Sequence, residues 1–147
     1  MHVLFTRPLE DCSDLILKFK DLGHRVSHLP LINIEPIQHD IINYSDYEAI
    51  IFTSANSIKF LDKKELNKNM LCFCVGNATE KKAKSFGFQN VIAAEGNVAN
   101  LKELILQNFD PSKGKIIYVS GEIISGDLEN YLIKEGFKLK RVINYRA

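Results

Sequence analysis

The sequence predicts an α/β protein with a mostly parallel sheet and helices on both faces, in a flavodoxin-like or Rossmann-like arrangement. Short apolar runs alternate with amphipathic helical segments along almost the whole chain, and this alternation is typical of right-handed strand–helix–strand units. The runs at 49–52, 71–75 and 116–119 are apolar without interruption, as in parallel strands that are covered on both faces. Polar residues and glycine follow these runs, where each strand would pass into a helix.

The first part of the chain predicts one strand–helix–strand unit and a connector. An apolar strand at 3–5 leads into a helix whose apolar residues recur at helical spacing as far as residue 22. Gly23 suits the left-handed position just past that helix. A second strand follows at 25–29, and the proline-bracketed segment 30–36 predicts an extended connector. Because one such unit cannot cover both faces of its own sheet, this part of the chain requires a partner.

The rest of the chain predicts a second, longer series of elements. It begins with an irregular or single-turn helical segment at 37–47. The helices that follow are indicated by apolar residues three and four positions apart, and Gly136 suits the end of the last of them. The expected strands are 49–52, 71–75, 90–92, 116–119 and 138–145, and the expected helices are 54–62, 77–86, 98–109 and 126–135.

Composition restricts the class of protein. The 147 residues, 46% hydrophobic and 25% charged, are enough for one ordinary domain with a core. A formal net charge of +1 favours neither nucleic acid nor a membrane as partner, and the basic stretch 138–141 is interpreted as a solvated face. No apolar run approaches the ~20 residues that span a bilayer, and no signal-peptide pattern precedes the first strand. We therefore expect a cytoplasmic protein, in which Cys12, Cys72 and Cys74 are reduced and buried.

Thr53, Ser54 and Asn56 open the predicted helix that follows strand 49–52. Ser, Thr and Asn are preferred helix caps, so capping alone would account for them. The same hydroxyls, together with backbone N–H groups at the positive end of a helix dipole, also suit a substrate carboxylate. Both interpretations stay open, because a capping side chain can yield to a ligand.

A similar turn follows the next strand. Gly76 lets a ligand approach the backbone closely, and Asn77 or Thr79 can add a side-chain hydrogen bond. A third turn contains Gly121 and ends at Asp127, an acid that suits the start of a helix and argues against an anion at that spot. The glycine spacing of a dinucleotide-binding loop is absent.

Arg7 and Tyr145 complete the set of candidates. Arg7 ends the first strand, where its guanidinium fork suits a carboxylate or is an ordinary surface group. Tyr145 can donate a proton to a leaving hydroxyl, or it simply packs as an amphipathic ring. His24 and His28 lack a carboxylate or cysteine companion in the pattern, so no metal site is expected.

Taken in order, these segments resemble the uroporphyrinogen-III synthase family. The resemblance implies two α/β domains joined by extended connectors, with the substrate in the cleft between them. It assigns 1–34 to the start of domain 1, 35–142 to a complete domain 2, and 143–147 to the return connector. Domain 1 would then be incomplete in this chain, and we expect its uncovered apolar sheet surface to drive self-association. The segments that carry the resemblance are Thr6-Arg7-Pro8, 22–26, 29–32, 51–56, 75–79, 95–97 and Tyr145-Arg146-Ala147.

The resemblance implies a lyase of haem biosynthesis that works without a cofactor. The family closes a linear tetrapyrrole with several carboxylates, hydroxymethylbilane, to uroporphyrinogen III, with loss of water and inversion of the last pyrrole ring. Tyr145 matches the tyrosine proposed to assist departure of the hydroxyl, whereas Ser120 stands where related chains often carry Arg. The resemblance also matches Thr79 to a cleft-facing threonine and Ser54 to a substrate-contacting serine, and Arg7 falls in the family's first strand-end motif. Together with the turn residues described above, the predicted substrate contacts are Arg7, Thr53, Ser54, Asn56, Gly76, Asn77, Thr79 and Gly121.

The alternative is a non-enzymatic α/β module. Such a module would hold a polyanionic ligand at the same strand-end turns, which are present although half of the implied catalytic cleft is not.

Overall fold

The computed structural model describes residues 1–31, 33–61, 66–124 and 126–147. Contacts divide the chain into two compact units, one formed by Met1–Glu35 with Ala147 and the other by Pro36–Arg146. Each unit contains parallel strands joined through helices, so the predicted fold class is confirmed.

The unit Met1–Glu35 is a single strand–helix–strand motif. Strand β1 (His2–Phe5) pairs in parallel with β2 (Arg25–His28), and helix α1 (Leu9–Asp21) connects them. Gly23 follows the helix with φ 84°, the left-handed conformation that the sequence predicts there. Ile32 of the predicted connector lies outside the described residues.

The unit Pro36–Arg146 is built on a six-stranded sheet with the order β3-β8-β7-β4-β5-β6. The five longer strands follow the spatial order third, second, first, fourth, fifth when counted from one edge, with β4 and β7 at the centre, which is a Rossmann-like pattern. Neighbours from β8 through β6 are all parallel. The strands are β3 (Glu35–Pro36), β4 (Tyr47–Phe52), β5 (Leu71–Val75), β6 (Asn90–Ala94), β7 (Lys115–Gly121) and β8 (Lys138–Arg146).

Helices cover both faces of this sheet, as predicted. On one face, Ile58 of α2 (Ala55–Lys59) and Ala83 of α3 (Asn77–Phe86) pack in one buried cluster with residues of β4, β5 and β7. On the other face, α4 (Val98–Asn108) and α5 (Leu128–Lys134) supply a second buried cluster. Within the described ranges, no helix combines the length and the apolar composition that crossing a membrane requires.

Some boundaries differ from those predicted. The sequence predicts a helix over 54–62, but α2 ends at Lys59, and a backbone bond from Leu61 N to Ile58 O closes a tighter turn after it. The weak helix formers Asn and Ser in its middle account for a shorter helix; Asp62 lies outside the described residues, as does Ser125. The connector contains the short strand β3, and a 3₁₀ turn precedes β4 at Tyr44–Asp46.

The thiols of β5 are buried on one face of the sheet. Cys72 and Cys74 belong to the same buried cluster and form no disulfide. Burial raises the pKa of the Cys74 thiol to about 11, with the Glu80 carboxylate adding to the effect and Lys84 opposing it. Burial also raises the pKa of the Cys72 thiol.

Cys74 should therefore alkylate slowly in the folded protein. The thiolate is the reactive species and Cys74 is fully buried, so at pH 8 we expect iodoacetamide to label Cys74 at least about 100-fold more slowly in native protein than in urea. Peptide mass spectrometry over a time course measures both rates. Similar rates in the two conditions would contradict the raised pKa of this thiol.

Large apolar side chains are exposed in the unit Met1–Glu35. Leu4 of β1 is 58% exposed and Leu29, just after β2, is 54% exposed. Self-association stays a prediction, and we expect the sedimentation coefficient to rise with concentration. Leu4→Glu should weaken this rise, whereas Ile123→Glu, at an 88% exposed position of the other unit, should not. A monomer mass that is independent of concentration would contradict it.

Candidate functional site

The candidate residues of the larger unit lie along one edge of its sheet. Parallel neighbours end at the same edge, so the residues at or just past the ends of β8, β7, β4 and β5 follow one another there. Tyr145 lies near the end of β8 and Gly121 ends β7, whereas Thr53 and Gly76 come directly after β4 and β5. The chain leaves β4 towards β5 on one side and leaves β7 towards β8 on the other. The crevice outside such a divergence is where open α/β sheets bind ligands.

The turn after β4 caps its own helix. Ser54 occupies the N-cap of α2 in an extended conformation, and its Oγ accepts a hydrogen bond of 3.2 Å from the backbone N–H of Asn56. Ser54 therefore acts as a cap, one of the two interpretations that the sequence leaves open. Ser54 and Asn56 are half-buried, so a ligand group can still approach them from solvent.

Thr53 is tied to the neighbouring strand. Its Oγ1 lies 3.0 Å from the phenol oxygen of Tyr118 on β7, across the point where β4 and β7 diverge. Burial raises the pKa of the Tyr118 phenol, with the Thr53 hydrogen bond and the charge of Arg141 opposing the rise. The phenol is therefore protonated at neutral pH and can take part in the bond as donor or acceptor. A tyrosine inside an otherwise apolar strand needs such a partner, and this is the sequence signal that could have identified Tyr118.

The turn after β5 is open. Gly76 has φ 86°, and nothing lies within 4 Å of the position that a Cβ would occupy. Gly76 also occupies the N-cap of α3, where no side chain of the described residues makes a capping hydrogen bond. Asn77 is exposed, whereas Thr79 is only 5% exposed in the first turn of α3. The backbone of this turn is therefore open to close approach by a ligand, as the sequence predicts, and Thr79 lies behind the turn.

Gly121 and Tyr145 are in direct contact. They are register partners on β7 and β8, and a Cβ at Gly121 would lie 2.6 Å from Cζ of the Tyr145 ring. The Glu122 N–H donates to the Tyr145 carbonyl oxygen at 2.9 Å, and the Phe60 ring lies 6.5 Å away between centroids. The absence of a side chain at residue 121 thus makes room for the Tyr145 ring.

Arg141 fixes the turn after β7. Its Nε donates to Ser120 Oγ at 2.7 Å, and a terminal guanidinium nitrogen donates to the carbonyl oxygens of Gly121 and Glu122 at 2.9 and 3.1 Å. The sequence places Arg141 on a solvated face, but the structure has it half-buried and bound to this turn. Ser120 accepts one of these bonds. An arginine of the neighbouring strand is therefore present at the turn.

Arg7 belongs to the unit Met1–Glu35. Its side chain is exposed in the loop between β1 and α1. The loop is fixed through the Arg7 carbonyl oxygen, which lies 2.7 Å from His28 Nε2, so the tautomer protonated at that nitrogen donates to it. His28, to which the sequence pattern assigns no role, thus orders the loop that carries Arg7.

Two cavities of the larger unit are lined mainly by other residues, although Arg141 contributes to the first. One of about 680 Å³ is lined by residues 38–43, by Asp46 and Tyr47, and by 140–143 of β8. Another of about 400 Å³ lies beside the starts of β7 and β8. Of the described lining residues, none is a predicted site residue.

Seating of the Tyr145 ring on Gly121 can be tested by a double-mutant cycle. Gly121→Ala should destabilise the protein by about 1–3 kcal/mol, because the new methyl group overlaps the ring. In a Tyr145→Ala background the same change should cost much less, since the ring is gone. Urea unfolding of the four proteins measures the coupling, and additive effects would contradict the contact.

The chain is similar in sequence to known proteins. The family model described as uroporphyrinogen-III synthase HemD matches residues 13–147. The porphyrin biosynthesis protein HemD of Ruminiclostridium josui is 27% identical over 159 residues, which cover 99% of this chain and 32% of the relative. This chain therefore spans about a third of that curated relative.

Solved structures share the fold. Uroporphyrinogen-III synthetase from Helicobacter pylori aligns with a TM-score of 0.61 and 16% identity, over 99% of this chain and 61% of the other. A mutant uroporphyrinogen III synthase from Thermus thermophilus aligns with a TM-score of 0.56 and 15% identity, over 99% and 62%. The chain thus spans about three fifths of each of these structures.

Proposed function

Because this chain belongs to the uroporphyrinogen-III synthase family, we propose that it acts in porphyrin biosynthesis as a uroporphyrinogen-III synthase. The proposed reaction is closure of hydroxymethylbilane to uroporphyrinogen III, with loss of water and inversion of the last pyrrole ring. It makes the protein a cyclising hydro-lyase without a cofactor, in the cytoplasm. Residues 1–34 are proposed to start one domain, 35–142 to form the second, and 143–147 to lead back to the first.

One observation carries the proposal. The phenol of Tyr145 lies at the same sheet edge as the turns after β4, β5 and β7, so a proton donor is next to backbone turns that suit anions. A tetrapyrrole with several carboxylates needs both kinds of group within the span of one molecule.

The proposed roles follow from the geometry of each turn. The uncapped start of α3 at Gly76 supplies backbone N–H groups and the positive end of a helix dipole, both of which favour a carboxylate. Thr53, Ser54 and Asn56 offer polar groups on the adjacent strand end, with Asn77, Thr79 and Gly121 beside them. Arg7, in the other unit, is proposed to bind a further carboxylate through its guanidinium fork.

Tyr145 is proposed to donate its phenolic proton to the hydroxyl that leaves the substrate. Departure of water then leaves a carbon to be attacked by the last pyrrole ring. In this proposal, most of the rate acceleration comes from holding the two ends of the linear substrate close together. Loss of Tyr145 should therefore slow the reaction without abolishing it.

A second candidate is the non-enzymatic module that binds a polyanion. The open turn at Gly76 favours it, because that turn can hold a carboxylate or phosphate whether or not a proton donor lies nearby. The two candidates differ in whether Tyr145 affects a chemical step.

The isomer that is produced tests the enzymatic proposal. Given freshly generated hydroxymethylbilane, the chain should form the type III isomer, separable from type I by chromatography after oxidation. Tyr145→Phe should lower the rate by about 10- to 100-fold, towards the low end of general-acid effects, with little change in KM. Tyr131→Phe is the matched control, since that ring lies on α5 with Lys102 over its face.

Formation of the type I isomer alone would contradict the proposed activity of this chain. Tight binding of uroporphyrinogen without turnover, equal in the wild type and in Tyr145→Phe, would support the binding module instead.

A further inference from the structure

Strand β8 contains an irregularity immediately before Tyr145. Ser120 pairs with Ile143, but the next residue of β7, Gly121, pairs with Tyr145. Asn144 is therefore an extra residue in β8 without a register partner on β7, which is the arrangement of a β-bulge. If the pairing continued without this shift in register, Gly121 would pair with Asn144, and Tyr145 would lie one position further along the strand.

The Asn144 side chain is held against α2. Its Nδ2 donates to the carbonyl oxygen of Ser57 at 2.8 Å, and its own carbonyl oxygen accepts from the Ile37 N–H at 2.9 Å. Ser57 lies in the last turn of α2, where backbone carbonyls lack partners within the helix. The Asn144 amide thus supplies a hydrogen-bond donor to a carbonyl oxygen in the last turn of α2, and this bond joins the helix to the bulge.

Packing alone does not explain why an asparagine is buried at residue 144. It is 1% exposed and Ser57 is fully buried, and neither Asn144 Oδ1 nor Ser57 Oγ has a hydrogen-bond partner among the described residues. Buried polar atoms without partners are destabilising, and an apolar residue would avoid that penalty. The hydrogen bond of the amide to Ser57 O instead fixes the position of the strand at the residue before Tyr145.

We propose that Asn144 is a positioning residue for Tyr145: its amide, bound to Ser57 O, holds the bulge that places the Tyr145 ring on Gly121. The proposal rests on the proposed function for its catalytic meaning, because Tyr145 is the proton donor there. Its structural content does not depend on turnover.

The contact between the Tyr145 ring and Gly121 Hα is the direct readout, observed as a nuclear Overhauser effect. We expect it in the wild type and expect its loss in Asn144→Ala. Asn90→Ala is the matched control, since Asn90 Nδ2 also donates to a backbone carbonyl at 2.8 Å, but on the edge strand β6. Ser57→Ala should also keep the contact, because the acceptor is the backbone carbonyl.

A folded Asn144→Ala variant that keeps the contact would overturn the proposal, since a purely structural role lowers stability without moving the ring. If Asn144→Ala does not fold, Asn144→Ser is the second variant. Its hydroxyl is polar but too short to reach Ser57 O, and the same loss is expected.

Measurements of turnover distinguish failure of this inference from failure of the proposed function. Asn144→Ala should lower kcat by about 10- to 100-fold with KM nearly unchanged, since misplacing a group by about 1 Å costs as much. The double variant with Tyr145→Phe should be no slower than Tyr145→Phe alone. If the chain forms no type III isomer, the ring contact still decides the role of Asn144. If the contact persists in Asn144→Ala while type III is formed, the positioning role fails and the proposed function stands.

Discussion

The rest of the structure depends on the parallel pairing of β4, β7 and β8. β4 and β7 are adjacent in the sheet but distant in the sequence, and their helices leave in opposite directions. This divergence opens the edge where the candidate turns lie. A hydrogen bond between Thr53 and Tyr118 crosses it, and Arg141 of the neighbouring strand β8 binds the turn at Gly121. The sheet therefore determines both where the turns meet and how rigidly they are held.

The polar groups at this edge already interact within the protein. Ser54 caps α2, Thr53 bonds to Tyr118, and Arg141 is shared among three acceptors at the turn after β7. The turn at Gly76 differs, since no described side chain caps the helix there. A ligand carboxylate would thus meet turns whose geometry is set in advance, which lowers the entropic cost of binding.

The fold could be predicted because its signal is local. The uninterrupted apolar runs at 49–52, 71–75 and 116–119 become central strands, and the polar turns after the first two become helix starts. The roles of Arg141 and Asn144 could not be recognised in the same way, and for Tyr118 the sequence signals only that a partner is needed. The partners of all three residues come from other strands or helices, and only the register of the sheet brings them together. The extra residue in β8 is also invisible in the sequence, because alternation of side chains along that strand gives no sign of where pairing shifts.

The contact between Gly121 and Tyr145 has a consequence for how this sequence can evolve. With the ring in place, a side chain at residue 121 must displace that ring, so replacing the glycine costs more stability before the tyrosine is lost than after it. Substitutions at the two positions are therefore less costly in one historical order than in the other. A lineage that retains the aromatic ring is under pressure to retain the glycine with it.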